Sequence, residues 1–221
     1  MQAIILCGGL GTRLKSVIKD IPKPMAPING KPFLAFVLEY LKKQGIAEVV
    51  LSVSYKYELI QEYFKDEFEG IKICYNIEKE LLSTGGAIKD ALKFIQNQVY
   101  VLNGDTFFDI DLGRLKLDES KICLALKQMN DFDRYGTVNV NEEGFVISFE
   151  EKIFKNQGLI NGGIYLLDKD IFKDFALQEK FSFEEFLQEN YEKLKARAEI
   201  FDDYFIDIGV PSDYERFKNE Q

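Results

Sequence analysis

Histidine is absent from the 221 residues. That removes the Ser-His-Asp triad, histidine-based metal sites and the commonest general base. Any chemistry must come from carboxylates, lysine, arginine or a metal. Cysteine is scarce: Cys7, Cys74 and Cys123 are odd in number and far apart. This argues against a disulfide framework or zinc site and for reduced thiols in a cytosolic protein. With no histidine to activate it, none of the three is expected to be a nucleophile. No apolar run approaches the ~18 residues of a membrane helix. The N-terminus, MQAIILCGG, has neither the basic start nor the long apolar stretch of a signal peptide. The expectation is a cytoplasmic protein without membrane partners. A net charge of -9 argues further against general binding to nucleic acid or anionic membranes.

The charge is uneven. Residues 1–31 carry Arg13, Lys15, Lys19, Lys23 and Lys31 against the single acid Asp20, a net +4 that leaves −13 elsewhere. A local anion site and a merely solvated basic face remain equally open from charge alone. A composition 46% hydrophobic can bury one sizeable core.

Along the chain, Ala3 to Cys7 is a short apolar run entering glycines, the pattern of a buried parallel strand. The periodicity predicts helices over 32–44, 57–68 and 84–96, alternating with strands over 48–54, 71–77 and 99–103. Such alternation means βαβ units and a mostly parallel sheet covered on both faces. The rhythm then changes. Strands are expected over 121–128, 136–141, 145–150 and 159–167, with a hairpin turn at Asn141–Gly144. Helices return over 168–175, 182–195 and 212–218. We read one domain, residues 1–221: a three-layer α/β/α sandwich with a Rossmann-like, mostly parallel sheet and an antiparallel extension. Residues 1–110 form one half of it and 111–221 the other. Ligands of open α/β sheets sit beyond the carboxyl ends of the strands.

The first strand-end loop is Gly8-Gly9-Leu10-Gly11-Thr12-Arg13. Glycines let backbone N–H groups approach a polyphosphate, and Arg13 can grip phosphate oxygens in pairs. Leu14 stands where a dinucleotide fingerprint needs its third glycine, and no Gly-Lys-Ser/Thr follows, so neither of those two motifs is present. Ten residues beyond Arg13, Pro22-Lys23-Pro24 holds a lysine in restricted backbone.

Taken together, Leu6-Cys7-Gly8-Gly9-Leu10-Gly11-Thr12-Arg13-Leu14 and Pro22-Lys23-Pro24-Met25 resemble the signature of the sugar-1-phosphate nucleotidyltransferase family. The resemblance runs over the whole chain. It is strongest to the short guanylyltransferases that act on D-glycero-α-D-manno-heptose 1-phosphate in bacterial surface-polysaccharide synthesis. It implies that the glycine loop, with Leu6, Gly8, Gly9, Gly11, Thr12 and Arg13, wraps the triphosphate of a nucleotide, and that Arg13 and Lys23 face the reacting phosphates. The segment Leu82-Ser83-Thr84-Gly85-Gly86 would hold the base through Ser83, Thr84 and Gly85; serine at 83 departs from the family's glycine. Glu78 and Glu80 precede it where pyrimidine-using relatives tend to carry glutamine. A carboxylate suits guanine N1–H and N2–H₂, which favours GTP; a solvated charged turn is the alternative reading.

The resemblance also implies that Asp105, in Asn103-Gly104-Asp105, and Asp207, in Ile206-Asp207-Ile208-Gly209-Val210-Pro211, bind Mg²⁺. Tyr135, Gly136, Glu151, Lys152 and Asn161, with Lys23, match sugar-phosphate positions, while Asp109 and Asp111 have no family role and read as surface or capping groups. A sugar 1-phosphate, with its second pKa about 6, is already anionic at neutral pH and needs no general base. The obstacle is repulsion between anions, removed by metal, arginine, lysine and backbone N–H groups. The same reaction with mannose or glucose 1-phosphate and CTP, UTP or dTTP is the alternative pairing. A non-catalytic sensor or regulatory subunit is the alternative class. A homo-oligomer stays open, and the chain beyond Asp207 is too short for the appended β-helix of bifunctional relatives.

Overall fold

The first strand, β1 (Gln2–Leu6), is apolar on both faces, and that fixes the architecture. Ala3 and Ile5 enter one core and Ile4 the other. The same alternation holds in β4 and β7 described below, so helices must cover both sides. The computed structural model describes residues 1–9, 14, 18 and 20–221.

After β1 come a short ribbon, β2 (Pro27–Ile28) and β3 (Lys31–Pro32), and the helix α1 (Phe33–Lys43). Next are β4 (Glu48–Val53), α2 (Tyr57–Phe64), β5 (Glu67–Phe68) and β6 (Ile71–Ile77). Helix α3 (Ser83–Ala91) leads to β7 (Val99–Asn103) and the short β8 (Thr106–Phe108). The second half holds β9 (Ile122–Phe132), β10 (Thr137–Val140), β11 (Val146–Glu150) and β12 (Lys155–Leu167). Helix α4 (Phe183–Asn190), β13 (Arg197–Phe201), β14 (Phe205–Asp207) and α5 (Pro211–Glu220) complete the chain.

One ten-stranded sheet runs β11-β10-β12-β7-β1-β4-β6-β5, with β9 on β12 and β13 on β9. Strands β7, β1, β4 and β6 are mutually parallel. Strand β12 lies antiparallel to β7 and opens the antiparallel extension. Helices α1, α2 and α5 pack in one core, through residues such as Phe33, Phe64 and Phe217. Helices α3 and α4 pack in the other, through Ile88, Phe183 and Leu187. The fold is the expected three-layer α/β sandwich. Strand β1 has β4 on one side and β7 on the other, which creates the crevice where ligands of such sheets bind.

Several boundaries differ from the sequence reading, for local reasons. The helix expected over 168–175 does not form. Asp168 Oδ1 accepts from the Asp170 N–H at 2.8 Å, and successive i→i+3 bonds from Ile171, Lys173 and Phe175 make turns instead. Helix α2 stops at Phe64 because Lys65 takes φ +52°, and Glu67–Phe68 then pairs with β6. Helix α4 ends at Asn190, five residues short of the expected 195. The hairpin at Asn141–Gly144 is present: the Gly144 N–H donates to the Asn141 carbonyl at 3.0 Å, with Gly144 at φ +81°. Asp111 caps the 3-10 turn Leu112–Arg114 by accepting from the Gly113 N–H at 2.8 Å, while Asp109 is exposed.

Candidate active site

Beyond the carboxyl ends of β1, β4 and β7 lies a cavity of about 630 Å³, lined by Leu6, Gly8, Gly9, Lys23, Glu78, Ser83, Thr84 and Asp105 among others. Behind its Gly8 and Glu78 stand two serine hydroxyls. The Ser54 hydroxyl donates to the Gly8 carbonyl at 2.7 Å. A Cβ on Gly8 would come within 2.9 Å of Glu78 Oε1, so glycine lets the turn rest against that carboxylate without displacing it. Glu78 is 8% exposed; the Ser52 hydroxyl donates to its Oε1 at 3.1 Å and the Leu82 N–H to its Oε2 at 3.1 Å. Burial pushes the Glu78 carboxyl up, and these hydrogen bonds only partly offset it. Gly11, Thr12 and Arg13 lie outside the described residues.

The Leu82–Gly86 segment is the first turn of α3. Ser83, standing where the family carries glycine, adopts φ +59°, a left-handed conformation that glycine takes at no steric cost. Thr84 lines the cavity, and its hydroxyl donates to Glu184 Oε2 at 2.7 Å. Two residues expected at the base do not line this cavity. Gly85 faces away from the cavity: a Cβ there would fall 2.3 Å from the Phe181 ring, and its N–H donates to the Phe181 carbonyl at 3.0 Å. Its smallness serves packing. Glu80 sits exposed in the bend before α3 and is not part of the lining; the turn that buries Glu78 carries it outward.

Asp105 follows β7. The Gly104 N–H donates to the Leu6 carbonyl at 3.0 Å, and a Cβ on Gly104 would meet that oxygen at 2.5 Å. The close approach of β1 and β7 therefore requires this glycine and sets Asp105 beside the glycine turn. Lys23 sits in a single 3-10 turn, Lys23–Met25, preceded by extended Pro22. Its Nζ lies 2.8 Å from Asp105 Oδ2, and its side chain is 12% exposed.

A second cavity of about 390 Å³ adjoins the first. Tyr135, Gly136, Glu151, Lys152, Asn161 and Asp207 all line it. Among the described residues, Asn103, Asp105 and Glu184 line both. Asp207 comes from β14, which pairs antiparallel with β8 so that Thr106 faces Asp207. The Ile208 N–H donates to the Asp105 carbonyl at 3.0 Å, which brings the two aspartates to one wall. Asp207 Oδ1 accepts from the Gly209 N–H at 2.7 Å, a turn that a Cβ on Gly209 would obstruct. Burial, then the charge of Asp207, pushes the Tyr135 hydroxyl up to about 12. Gly136 lets β10 approach the Glu150 carbonyl, which a Cβ would reach at 2.5 Å. Asn161 donates from Nδ2 to the Tyr165 hydroxyl at 2.8 Å and accepts on Oδ1 from the Gly163 N–H at 3.0 Å. The break in register of β12 between Asn161 and Tyr165 turns this stretch toward the cavity wall.

Among the described residues no three acidic, histidine or cysteine side chains converge as a closed metal site. Two carboxylates on one wall, with no nitrogen or sulfur donor, instead suit a hard cation that completes its shell with phosphate oxygens. Cys7 is buried, and burial together with Asp105 and Glu78 drives its thiol far above the usual range. It is inert as a nucleophile.

Sequence reasoning missed Ser52, Ser54, Leu81, Lys180 and Glu184. The two serines at the end of a β-branched strand were a legible signal. Leu81, 40% exposed, supplies apolar surface to the first cavity. Lys180 and Glu184 arrive from a segment some hundred residues away, which no spacing rule reveals.

Comparison with known proteins gives a consistent result. The family profile described as Nucleotidyl transferase matches residues 2–221. The chain is 83% identical over 217 residues to the D-glycero-alpha-D-manno-heptose 1-phosphate guanylyltransferase of Campylobacter jejuni, covering 98% of each. It is 49% identical to the enzyme of that name from Aneurinibacillus thermoaerophilus, covering 100% of this chain and 98% of that one. The crystal structure of HddC from Yersinia pseudotuberculosis complexed with GMP-PN superposes with a TM-score of 0.84 at 38% identity, over 99% of this chain and 98% of that one.

Proposed function

The chain belongs to the nucleotidyl transferase family, and we propose that it transfers a guanylyl group from GTP to D-glycero-α-D-manno-heptose 1-phosphate. The products are GDP-heptose and pyrophosphate, for surface-polysaccharide synthesis. One observation carries the reading: two cavities meet at Asp105, one along the glycine turn and one lined by Tyr135, Asn161 and Asp207. A nucleotide in the first and a sugar phosphate in the second would bring their phosphates together at that wall. Guanine and heptose are supported by the two relatives that share 83% and 49% of their residues with this chain.

In this reading residues 1–110 form the nucleotide half and 111–221 the sugar-phosphate half, with Asp105 and Glu184 reaching across the boundary. Gly8 and Gly9, with Gly11, Thr12 and Arg13, cradle the triphosphate. Ser83 and Thr84 border the base, and Leu81 offers it an apolar face. Lys23 and Arg13 offset charge on the α-phosphate and the departing pyrophosphate. Glu78 acts mainly from below, holding the Gly8 turn and the entry to α3. Lys152 and Lys23 attract the sugar phosphate, whose oxygen is already anionic and attacks without a general base.

Enzymes of this family work with a divalent cation, and we assign Mg²⁺ on the all-oxygen donor set of Asp105 and Asp207. Bound there, it would neutralise phosphate charge. No helix among the described residues is long and apolar enough to cross a membrane; cytoplasmic residence is part of the proposal, since GTP is the donor.

Incubation with GTP, ATP, CTP, UTP or dTTP, Mg²⁺ and a panel of sugar 1-phosphates, with pyrophosphate release measured, tests the reading. GTP with heptose 1-phosphate is expected to give the highest kcat/KM. A higher value for a pyrimidine nucleotide or for mannose or glucose 1-phosphate would replace the assignment.

A further inference from the structure

The two cavities share a residue that no motif accounts for. Glu184 stands in the first turn of α4, yet it lines both. Its Oε2 accepts from the Thr84 hydroxyl at 2.7 Å and from the Ser182 hydroxyl at 3.1 Å. The Thr84 oxygen in turn accepts from the Phe183 N–H at 2.9 Å. Thr84 is thus tied twice to the start of α4. The segment before α4 clasps the same turn from the other side: the Gly85 and Gly86 N–H groups donate to the Phe181 carbonyl, and the Phe181 N–H donates to the Leu82 carbonyl. No described residue donates to Glu184 Oε1.

We infer that Glu184 couples the two substrates: Oε2 holds Thr84 at the nucleotide cavity, and Oε1 accepts a hydrogen bond from a hydroxyl of the sugar phosphate in the other. This rests on the reading that nucleotide and sugar phosphate occupy those cavities. A carboxylate fixed by one substrate's loop loses less freedom when the second substrate meets it, so each ligand tightens the other. Ser83, at φ +59° one residue before Thr84, marks a backbone whose conformation needs that outside hold.

The test uses the intact protein, sugar phosphate and a GTP analogue with a methylene bridge between its α- and β-phosphates, which binds without reacting. In the wild type, saturating sugar phosphate is expected to lower the analogue's Kd about fivefold or more. In Glu184→Ala the KM for sugar phosphate is expected to rise about tenfold, the loss of a hydrogen bond to a charged group, with kcat at saturation changed far less. The coupling is expected to disappear. Thr84→Val is expected to lose the coupling, and Thr84→Ser to retain it. Glu184→Leu, close in size but without an acceptor, gives the same readout if the alanine variant folds poorly. An active wild type whose Glu184 variants keep both the sugar KM and the coupling overturns the inference and leaves the proposed function standing. A wild type that forms no GDP-sugar overturns the proposed function itself.

Discussion

The Nζ of Lys23 sits 2.8 Å from Asp105 Oδ2, at the meeting point of the two cavities. An ammonium group thus neutralises the carboxylate that is assigned to the metal. A divalent cation bound there would compete with Lys23 for, or share with it, the oxygens of Asp105.

Lys23→Met separates these roles. Its kcat is expected to fall about 10²–10³-fold, as for loss of a donor that stabilises transition-state charge. The Mg²⁺ concentration for half-maximal rate is expected to fall as well, because Asp105 no longer faces a cation. Pyrophosphate release measured across a Mg²⁺ titration reads both. A higher Mg²⁺ requirement would mean that the lysine helps to assemble the metal site rather than oppose it.

Glu78 gives a pH signature. Its folded-state pKa is raised, mainly by burial, so the stability it contributes is greatest at acid pH, where the carboxyl is neutral, and is lost as pH rises through the folded value. In Glu78→Gln that loss is absent. Relative to the wild type, the variant's Tm is expected to improve as pH rises above the ordinary glutamate value of about 4.3, and to level off once the folded carboxyl is ionised. Parallel Tm profiles would show that burial does not control this carboxyl.

Gly104→Ala forces a methyl group to within 2.5 Å of the Leu6 carbonyl unless β1 and β7 part. Overpacking of this kind costs about 1–3 kcal/mol. For a domain of this size each kcal/mol is about 2–4 °C in Tm. Calorimetry is expected to show that drop, with kcat falling as Asp105 shifts. An unchanged Tm would mean that the strand ends are looser than their hydrogen bond implies.

The thiols make a chemical check. Cys7 and Cys123 are buried, and burial raises both thiols, Cys123 to about 11. Only Cys74, half-buried, is expected to react quickly with a disulfide reagent in the native protein. Cys7→Ala is expected to keep most of its kcat. Rapid labelling of Cys7 would show that the glycine turn opens readily.

Much of this was legible in the residues. Strands over 71–77 and 99–103 were read correctly because a β-branched or apolar run ended in a polar or glycine stop. The glycine turn, Lys23, Asp105 and Asp207 stood out because each lies in a short, dense motif, and the structure sets Gly8, Gly9, Lys23 and Asp105 around one cavity. Turns with a local alternative were misread: Asp168 diverts its segment from helix by bonding to the Asp170 N–H. Glu80 was grouped with Glu78 because sequence does not say which of two nearby carboxylates the chain folds under. Glu184 was invisible because its partner Thr84 is 100 residues away.

Strand β12 changes register at Gly162 and Gly163, so its outer part pairs with β10 while its inner part pairs with β7 at the sheet's centre. The outer arm, residues 133–161, carries Tyr135, Gly136, Glu151, Lys152 and Asn161, yet contributes nothing to the lining of the first cavity. It is in effect a cassette seated on the sheet through the pairing of β12 with β9 and β10. Grafting this arm from a relative with another sugar is expected to redirect acceptor choice while donor choice stays with the host, which gives evolution and engineering the same point of exchange.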